Sequence, residues 1–358
     1  MVVARSPERT RSIVIMRRIA VIALVLATAA GCSLFGGGNQ GERTVVLVTH
    51  DSFAMKPEVL DEFRKSSGIT INVRKSGDAG ALTNQLVLTK ANPLGDVAFG
   101  VDNTFASRAL KEGVFADYHS PEADKGSRRY AVDGGNRLTA VDAGDVCLNA
   151  DPAAFAARGL PEPSRYEDLA DPRYKDLLVV EDPATSSPGL AFLLGTVAHF
   201  GEQGWADYWR KLKANGVKVD SGWEEAYTQD FSGSSGKGPR PVVVSYASSP
   251  AAEVGPDGKA RTKALLFTCF RQVEYAGVLT NAKHPEDARK VVDFLLSQPF
   301  QSNVAEQMFV YPAREDVPLP AAWQGVVLQP SNPETLPAAD IDANRERWIN
   351  QWRATVQG

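Results

Sequence analysis

The sequence predicts an α/β protein of two lobes with a ligand cleft between them, and three observations predict it. From Thr44 onward, short apolar runs alternate with segments of helical period, the order that builds a largely parallel sheet covered by helices on both faces. The alternation runs through two series, the second beginning after an apolar run near 145–148. Polar and aromatic residues gather where five of the strands end, and ligands of open α/β sheets bind outside the carboxyl ends of strands. Five such clusters on two sheets imply one shared crevice.

Length and charge fit this picture. A chain of 358 residues, 43% of them hydrophobic, can bury a core large enough for two domains. Setting aside residues 1–31 removes five arginines and one glutamate and leaves 34 basic against 42 acidic side chains. A body of that charge repels polyanions, so nucleic acid is not an expected partner. Four histidines are few for a hydrolytic metal site, and neither a metal nor a cofactor is expected.

The beginning of the chain reads as an address. Arg17 and Arg18 precede the apolar stretch 19–30, which is too short to span a bilayer comfortably and ends in small residues, the layout of a secretory signal. Translation from Met1 or from Met16 gives the same signal. The run closes on Ala29-Ala30-Gly31-Cys32, which resembles the lipobox of bacterial lipoproteins. That resemblance implies that Cys32 is lipidated and that the folded body is held at the outer face of the cell membrane. Ala27-Thr28-Ala29 offers an ordinary cleavage site instead, with a secreted or periplasmic product. Residues 32–43, rich in glycine, form a flexible tether. An exported compartment permits Cys147 and Cys269 to pair; two separate buried thiols are the alternative.

The elements follow in order. Residues 45–49 read as a buried strand, and Val59, Leu60 and Phe63 share one face of a helix that starts near Pro57 and ends at Gly68. A strand over 69–73, a helix through Leu82 and Leu86, a strand over 96–101 and a helix from Phe105 to Gly113 complete the first series. The second series has strands at 177–180, 217–219 and 242–245, with helices over 188–200, stopped by Gly201, and over 205–213. A strand over 272–279, helices over 285–296 and 299–308, and a polar amphipathic helix from Ile341 to about Ala354 finish the chain. Residues 232–238, Ser-Gly-Ser-Ser-Gly-Lys-Gly, read as an exposed loop, and they lack the Ser or Thr that follows the Lys of a P-loop. The expected lobes are residues 44–144 with 272–330, and residues 145–271; the segment 331–358 belongs to either.

The strand-end clusters carry the chemistry. Ser187-Pro188 is a helix start with Ser as N-cap and Pro in the first turn. Amides there, with the hydroxyls of Ser186 and Ser187, can grip a phosphate or a ligand hydroxyl; a capped helix is the plain alternative. Trp223, followed by Tyr227, and Tyr246 on a separate strand end supply rings that can face one another, or pack in a core. Aromatic faces attract cations by about 0.5–2 kcal/mol, and Asp51, Asp78 and Asp102 are carboxylates placed to add charge, each also a plausible turn former or cap. The combination suits a planar, positively charged heteroaromatic ligand.

Asp51-Ser52-Phe53, Gly100-Val101-Asp102-Asn103, the run Asp182-Pro183-Ala184-Thr185-Ser186-Ser187-Pro188-Gly189-Leu190, Gly222-Trp223-Glu224-Glu225-Ala226-Tyr227, and Ser245-Tyr246-Ala247-Ser248-Ser249-Pro250-Ala251 occur in the order seen in thiamine-binding proteins of ABC importers, and the mature chain resembles that family throughout. The resemblance implies a type II periplasmic-binding-protein fold, thiamine or its phosphates as ligand, a monomer, and delivery to a membrane permease. It carries ligand contacts onto Asp78, Ala79, Ser186, Ser187, Trp223, Tyr246, Ala247, Ser248 and Ser249. Where the family has a Trp before a late Tyr-Pro, this chain has Phe309, a ring that can stack. Two other functions compete. Ferric-ion carriers of similar layout use adjacent tyrosines, whereas Tyr246 is followed by Ala247. An extracellular hydrolase would use the many serines, but no G-x-S-x-G elbow or H-E-x-x-H motif occurs.

Overall fold

The computed structural model describes residues 43–134, 137–235 and 237–358; the leader and residues 32–42 of the expected tether, Cys32 included, lie outside them, whereas Arg43 already opens the first strand. The first series is β1 (Arg43–Thr49), α1 (Pro57–Ser67), β2 (Ile69–Lys75), α2 (Ala79–Thr89), β3 (Val97–Asp102) and α3 (Ala106–Lys111). After two short 3₁₀ turns come β4 (Thr139–Ala150), α4 (Pro152–Arg158), β5 (Leu178–Glu181), α5 (Ser187–Ala214), β6 (Lys218–Asp220), the single turn α6 (Trp223–Glu225) and β7 (Val242–Tyr246). The chain closes with β8 (Lys263–Val278), α7 (Pro285–Leu295), α8 (Gln298–Met308), β9 (Tyr311–Pro312) and α9 (Ala338–Val356).

The strands form one sheet in the order β2-β1-β3-β8-β4-β7-β5-β6, with β9 paired to β4. This corrects the expectation of two largely parallel sheets. Parallel pairing holds at the two ends, among β2, β1 and β3 and among β7, β5 and β6. The centre is antiparallel, because β8 pairs β3 and β4, and β4 pairs β7. The strands β4 and β8 run well beyond the pieces read from the sequence. All twelve residues of β4 are buried, including Asp142, Asp145 and Asn149, so no apolar–polar alternation marks it. The two long strands join the two parallel ends of the sheet.

Helices cover both faces. On one, α5 and α9 meet through the buried Trp209 and Trp352, ring centroids 5.5 Å apart and nearly perpendicular, and Arg345 of α9 reaches the carbonyl of Thr104. On the other, Phe294 and Phe300 of α7 and α8 pack over Val45, Leu47 and Phe99. Gly68 ends α1 in the left-handed region with φ 69°, as its position in the sequence predicts. The helical period continues through 201, yet Gly201 takes φ 68° and ψ 173° inside α5. Its backbone breaks the helix where the sequence expected one helix to stop and another to begin.

Candidate functional site

The ends of β1, β6 and β7 and the start of α2 converge on a cavity of about 210 Å³. One wall is aromatic. The ring of Trp223 lies flat against Tyr227, centroids 4.9 Å apart at 20°, and stands edge-on to Tyr246 at 6.5 Å and 63°. Phe309 and Met308, at the end of α8, complete the apolar lining. Four bonds fix the indole and its neighbours. Trp223 Nε1 donates to Ser245 Oγ at 2.8 Å, Ser245 Oγ bonds Ser249 Oγ at 2.7 Å, and the amide of Tyr246 donates to Ser249 Oγ at 3.1 Å. The amide of Trp223 donates to Asp78 Oδ2 at 3.0 Å. That last bond needs the chain close, and a Cβ at Gly222 would stand 3.2 Å from Cβ of Asp78.

The other wall is acidic. Glu274, on β8, faces His50 with 3.6 Å between Oε2 and Nε2. Burial alone would lower the pKa of His50, but Glu274, with Asp78 and Asp51 beyond it, outweighs burial and raises it. Burial likewise opposes ionisation of Glu274, and the His50 cation outweighs it, so the carboxyl is held below its usual range. Asp142 lies opposite Glu274 in the β4–β8 register and is pushed well above the carboxylate range, first by burial and then by Glu274. The His50–Glu274 pair thus favours the charged form of both partners, and Asp142 behind it is driven toward its neutral form. Glu253 accepts from the Tyr227 hydroxyl at 3.1 Å and is pushed up by burial. Among the described residues, no Lys or Arg lines the cavity.

A more open cleft of about 440 Å³ adjoins the cavity and shares Ser52, Asp78, Trp223 and Thr228 with it. Asp51 lines this cleft and accepts from the amide of Gly77 at 2.9 Å.

Of the residues singled out in the sequence, Asp78, Trp223, Tyr227, Tyr246, Ser249 and Phe309 line the cavity and Asp51 lines the cleft. Ala79, Asp102, Ser186, Ser187, Ala247 and Ser248 line neither. Asp102 is fully buried, where it accepts from the amide of Thr104 at 3.0 Å and from the hydroxyl of Ser187. Burial pushes its carboxyl up to about 6. The N-cap of α5 is Ser186, accepting from the amide of Gly189 at 3.3 Å, one residue earlier than expected. Ser248 donates to the carbonyl of Phe309, and Phe309 sits in the left-handed region with φ 55°, so this serine acts behind the wall by fixing the turn that presents a ring. Ala247 packs beside Cys147 and Cys269, which form a disulfide between β4 and β8.

The sequence reading placed His50 in a strand-end cluster without giving it a role, and missed Glu274 and Glu253. A carboxylate in mid-strand between Val273 and Tyr275 was the available signal for Glu274. Within the expected loop, Ser235 and Lys237 are exposed, but Ser232 donates to Asp151 Oδ2 at 2.6 Å, and Ser234 is 5% exposed and reaches the cavity with Ser235. Hydroxyl bonds hold Ser232 and Ser234.

The profile of a family described as bacterial extracellular solute-binding proteins matches residues 92–338. The chain belongs to that family. Among its relatives is the thiamine-binding periplasmic protein of Brucella suis, 29% identical over 330 residues that cover 88% of this chain and 93% of the relative. A solved periplasmic thiamin binding protein superposes with a TM-score of 0.78 at 28% identity, over 89% of this chain and 98% of the other. Iron-bound HitA from Pseudomonas aeruginosa, at 22% identity and a TM-score of 0.68 over 87% of this chain and 99% of its own, shares the fold. This solute-binding protein has the two-lobed type II architecture, works outside the cytoplasm and is not an enzyme.

Proposed function

We propose that this protein captures thiamine, or one of its phosphates, outside the cytoplasm and hands it to the membrane permease of an ABC importer. One observation carries the reading: Trp223, Tyr227, Tyr246 and Phe309 line one cavity together with the carboxylates Asp78, Glu253 and Glu274. Thiamine is a flat aminopyrimidine joined to a thiazolium cation. Its rings suit aromatic walls, its cation gains about 0.5–2 kcal/mol against each well-placed aromatic face, and the desolvated charge needs an anion nearby. Relatives named for thiamine, aligned along most of this chain, support the same ligand. The ferric reading needs paired phenolates on one ion. Here the Tyr227 hydroxyl is bonded to Glu253 and the Tyr246 ring stands edge-on to Trp223.

In the same reading Cys32 carries the acyl chains that keep the protein beside its permease, each buried methylene adding about 0.8 kcal/mol. Titration calorimetry with thiamine tests the capture: a saturable, one-site isotherm is expected, and the absence of saturable heat overturns it. Release of the protein from membranes by Cys32→Ser tests the anchor.

A further inference from the structure

His50, just past the end of β1, and Glu274, within β8, both line the cavity, and each side chain is 10% exposed. A Cβ at Gly100 would collide with Cδ2 of His50, so the bare backbone of β3 lets the imidazole lie beside Phe99, ring centroids 5.5 Å apart. From there Nε2 faces Glu274 Oε2 across 3.6 Å. Beyond that ion pair, Nε2 has no hydrogen-bond partner among the described residues. The other carboxylates of the cavity are held differently. Asp78 accepts from the amides of Ala79 at 2.6 Å and Trp223 at 3.0 Å, and Glu253 accepts from the Tyr227 hydroxyl at 3.1 Å. Glu274 has the side-chain amide of Gln272 at 3.4 Å and, unlike those two, a cation that can lose its charge.

The charged groups that act on His50 are acidic: Glu274 from β8, Asp78 from the start of α2 and Asp51 from the turn after β1. Asp142 on β4 and Asp102 on β3 flank Glu274 in the register of the sheet. Tyr246 at the end of β7 and Met308 and Phe309 at the end of α8 complete the surroundings, and no Lys or Arg among the described residues lines the cavity. A solute cation entering this space of about 210 Å³ is drawn to the carboxylate that the imidazolium already holds, and the two cations repel one another. Only one of them can discard its charge. The quaternary nitrogen of a thiazolium bears no proton, whereas an imidazolium gives one up.

Resting on the thiamine reading, we infer that His50 is a resident counter-cation for Glu274 and that the solute relieves it of its charge. As the thiazolium settles beside Glu274, the Nε2–H bond of His50 breaks, its electron pair stays on the ring, and the proton passes to solvent. Capture of the cation thereby releases a proton, and affinity rises with pH wherever His50 is protonated before binding and neutral after it.

The test is calorimetry of thiamine binding to the purified protein in buffers of different ionisation enthalpy, from about pH 6 to 8, above the range in which the aminopyrimidine itself takes up a proton. Where the effect is greatest, about half to one proton per thiamine should pass to the buffer, and affinity should rise by up to about tenfold per pH unit. The Cε1–H resonance of His50, identified among the four histidines by its loss in His50→Gln, should titrate at least about one pH unit lower with saturating thiamine than without it. His50→Gln should bind without releasing a proton, and Asp142→Asn should keep the release. Heats that do not depend on the buffer, with an unmoved His50 resonance, overturn the inference and leave the thiamine reading standing. Release that persists in His50→Gln and vanishes in Asp142→Asn overturns the part given to His50. Saturable heat in none of the buffers overturns the thiamine reading itself, and this inference with it.

Discussion

Trp223 stands where three contacts converge: its amide is held by Asp78, its indole nitrogen by Ser245, and its face by Tyr227. Removing the ring in Trp223→Ala is expected to weaken thiamine binding by at least about tenfold and to abolish most of the ligand-induced change in tryptophan fluorescence. Ser232→Ala, which loses a bond to Asp151 outside the cavity, should change affinity little; equal losses in the two variants would contradict the site. A second prediction concerns His50. Its pKa is raised above 6.5 in the folded protein, so its proton binds the native state more tightly than the unfolded chain. That contribution to stability is complete below about pH 6.5 and is lost as pH rises through the higher native value. Urea unfolding from about pH 6 to 9 should therefore find wild type losing stability relative to His50→Gln as pH rises. Parallel curves for the two proteins would refute the pairing of His50 with Glu274.

The long central strands β4 and β8 decide the molecule's coherence, for they are the only strands through which the two parallel ends of the sheet connect among the described residues. The Cys147–Cys269 disulfide ties them across a sequence separation of 122 residues. Closing a loop of that length restricts the unfolded chain far more than the folded one. Reduction, or Cys147→Ala with Cys269→Ala, is expected to cost about 2–4 kcal/mol in chemical denaturation. Ligand affinity should hold within a few-fold, because neither cysteine lines the cavity. The strands also explain why Glu274 escaped the sequence reading. Its importance depends on the register that sets it opposite Asp142 and on His50 arriving from β1, and both are long-range facts.

Across the whole molecule, the start of α2 in the first series meets the 184–185 turn of the second, and we propose that closing on a ligand uses this contact. Ala81 N donates to the carbonyl of Thr185 at 3.0 Å, and Asp78 joins Trp223 beside it. At Gly80 a Cβ would stand 2.8 Å from the carbonyl oxygen of Ala184 and 2.9 Å from the ring of Phe105. Gly80→Ala should thus hold α2 away from the 184–185 turn. Alanine favours a helix over glycine by about 0.8–1 kcal/mol, so thermal stability should be kept while thiamine affinity falls by about tenfold. Small-angle scattering of the saturated variant should give a larger radius than saturated wild type, because a ligand closes the lobes only through its preference for the closed form. Unchanged affinity and unchanged radius would show that this contact has no part in closure.

The order of strands and helices, the helix ends at Gly68 and Gly201, and the rings Trp223, Tyr246 and Phe309 were legible in the sequence. The elements and their glycine stops leave a local signature in hydrophobic period and glycine position, and Trp223 and Tyr246 stand at strand ends; Phe309, which follows α8, was reached through the family resemblance. Tertiary structure alone decided that the sheet is continuous with an antiparallel centre, that Asp102, Ser186 and Ser187 lie outside the cavity wall, and that His50 and Glu274 form part of it. The physical reason is the same in each case. A hydroxyl or carboxyl acts as cap, buried bond or ligand contact according to the partner it meets: Ser187 meets Asp102 from 85 positions away, and His50 meets Glu274 from more than 200.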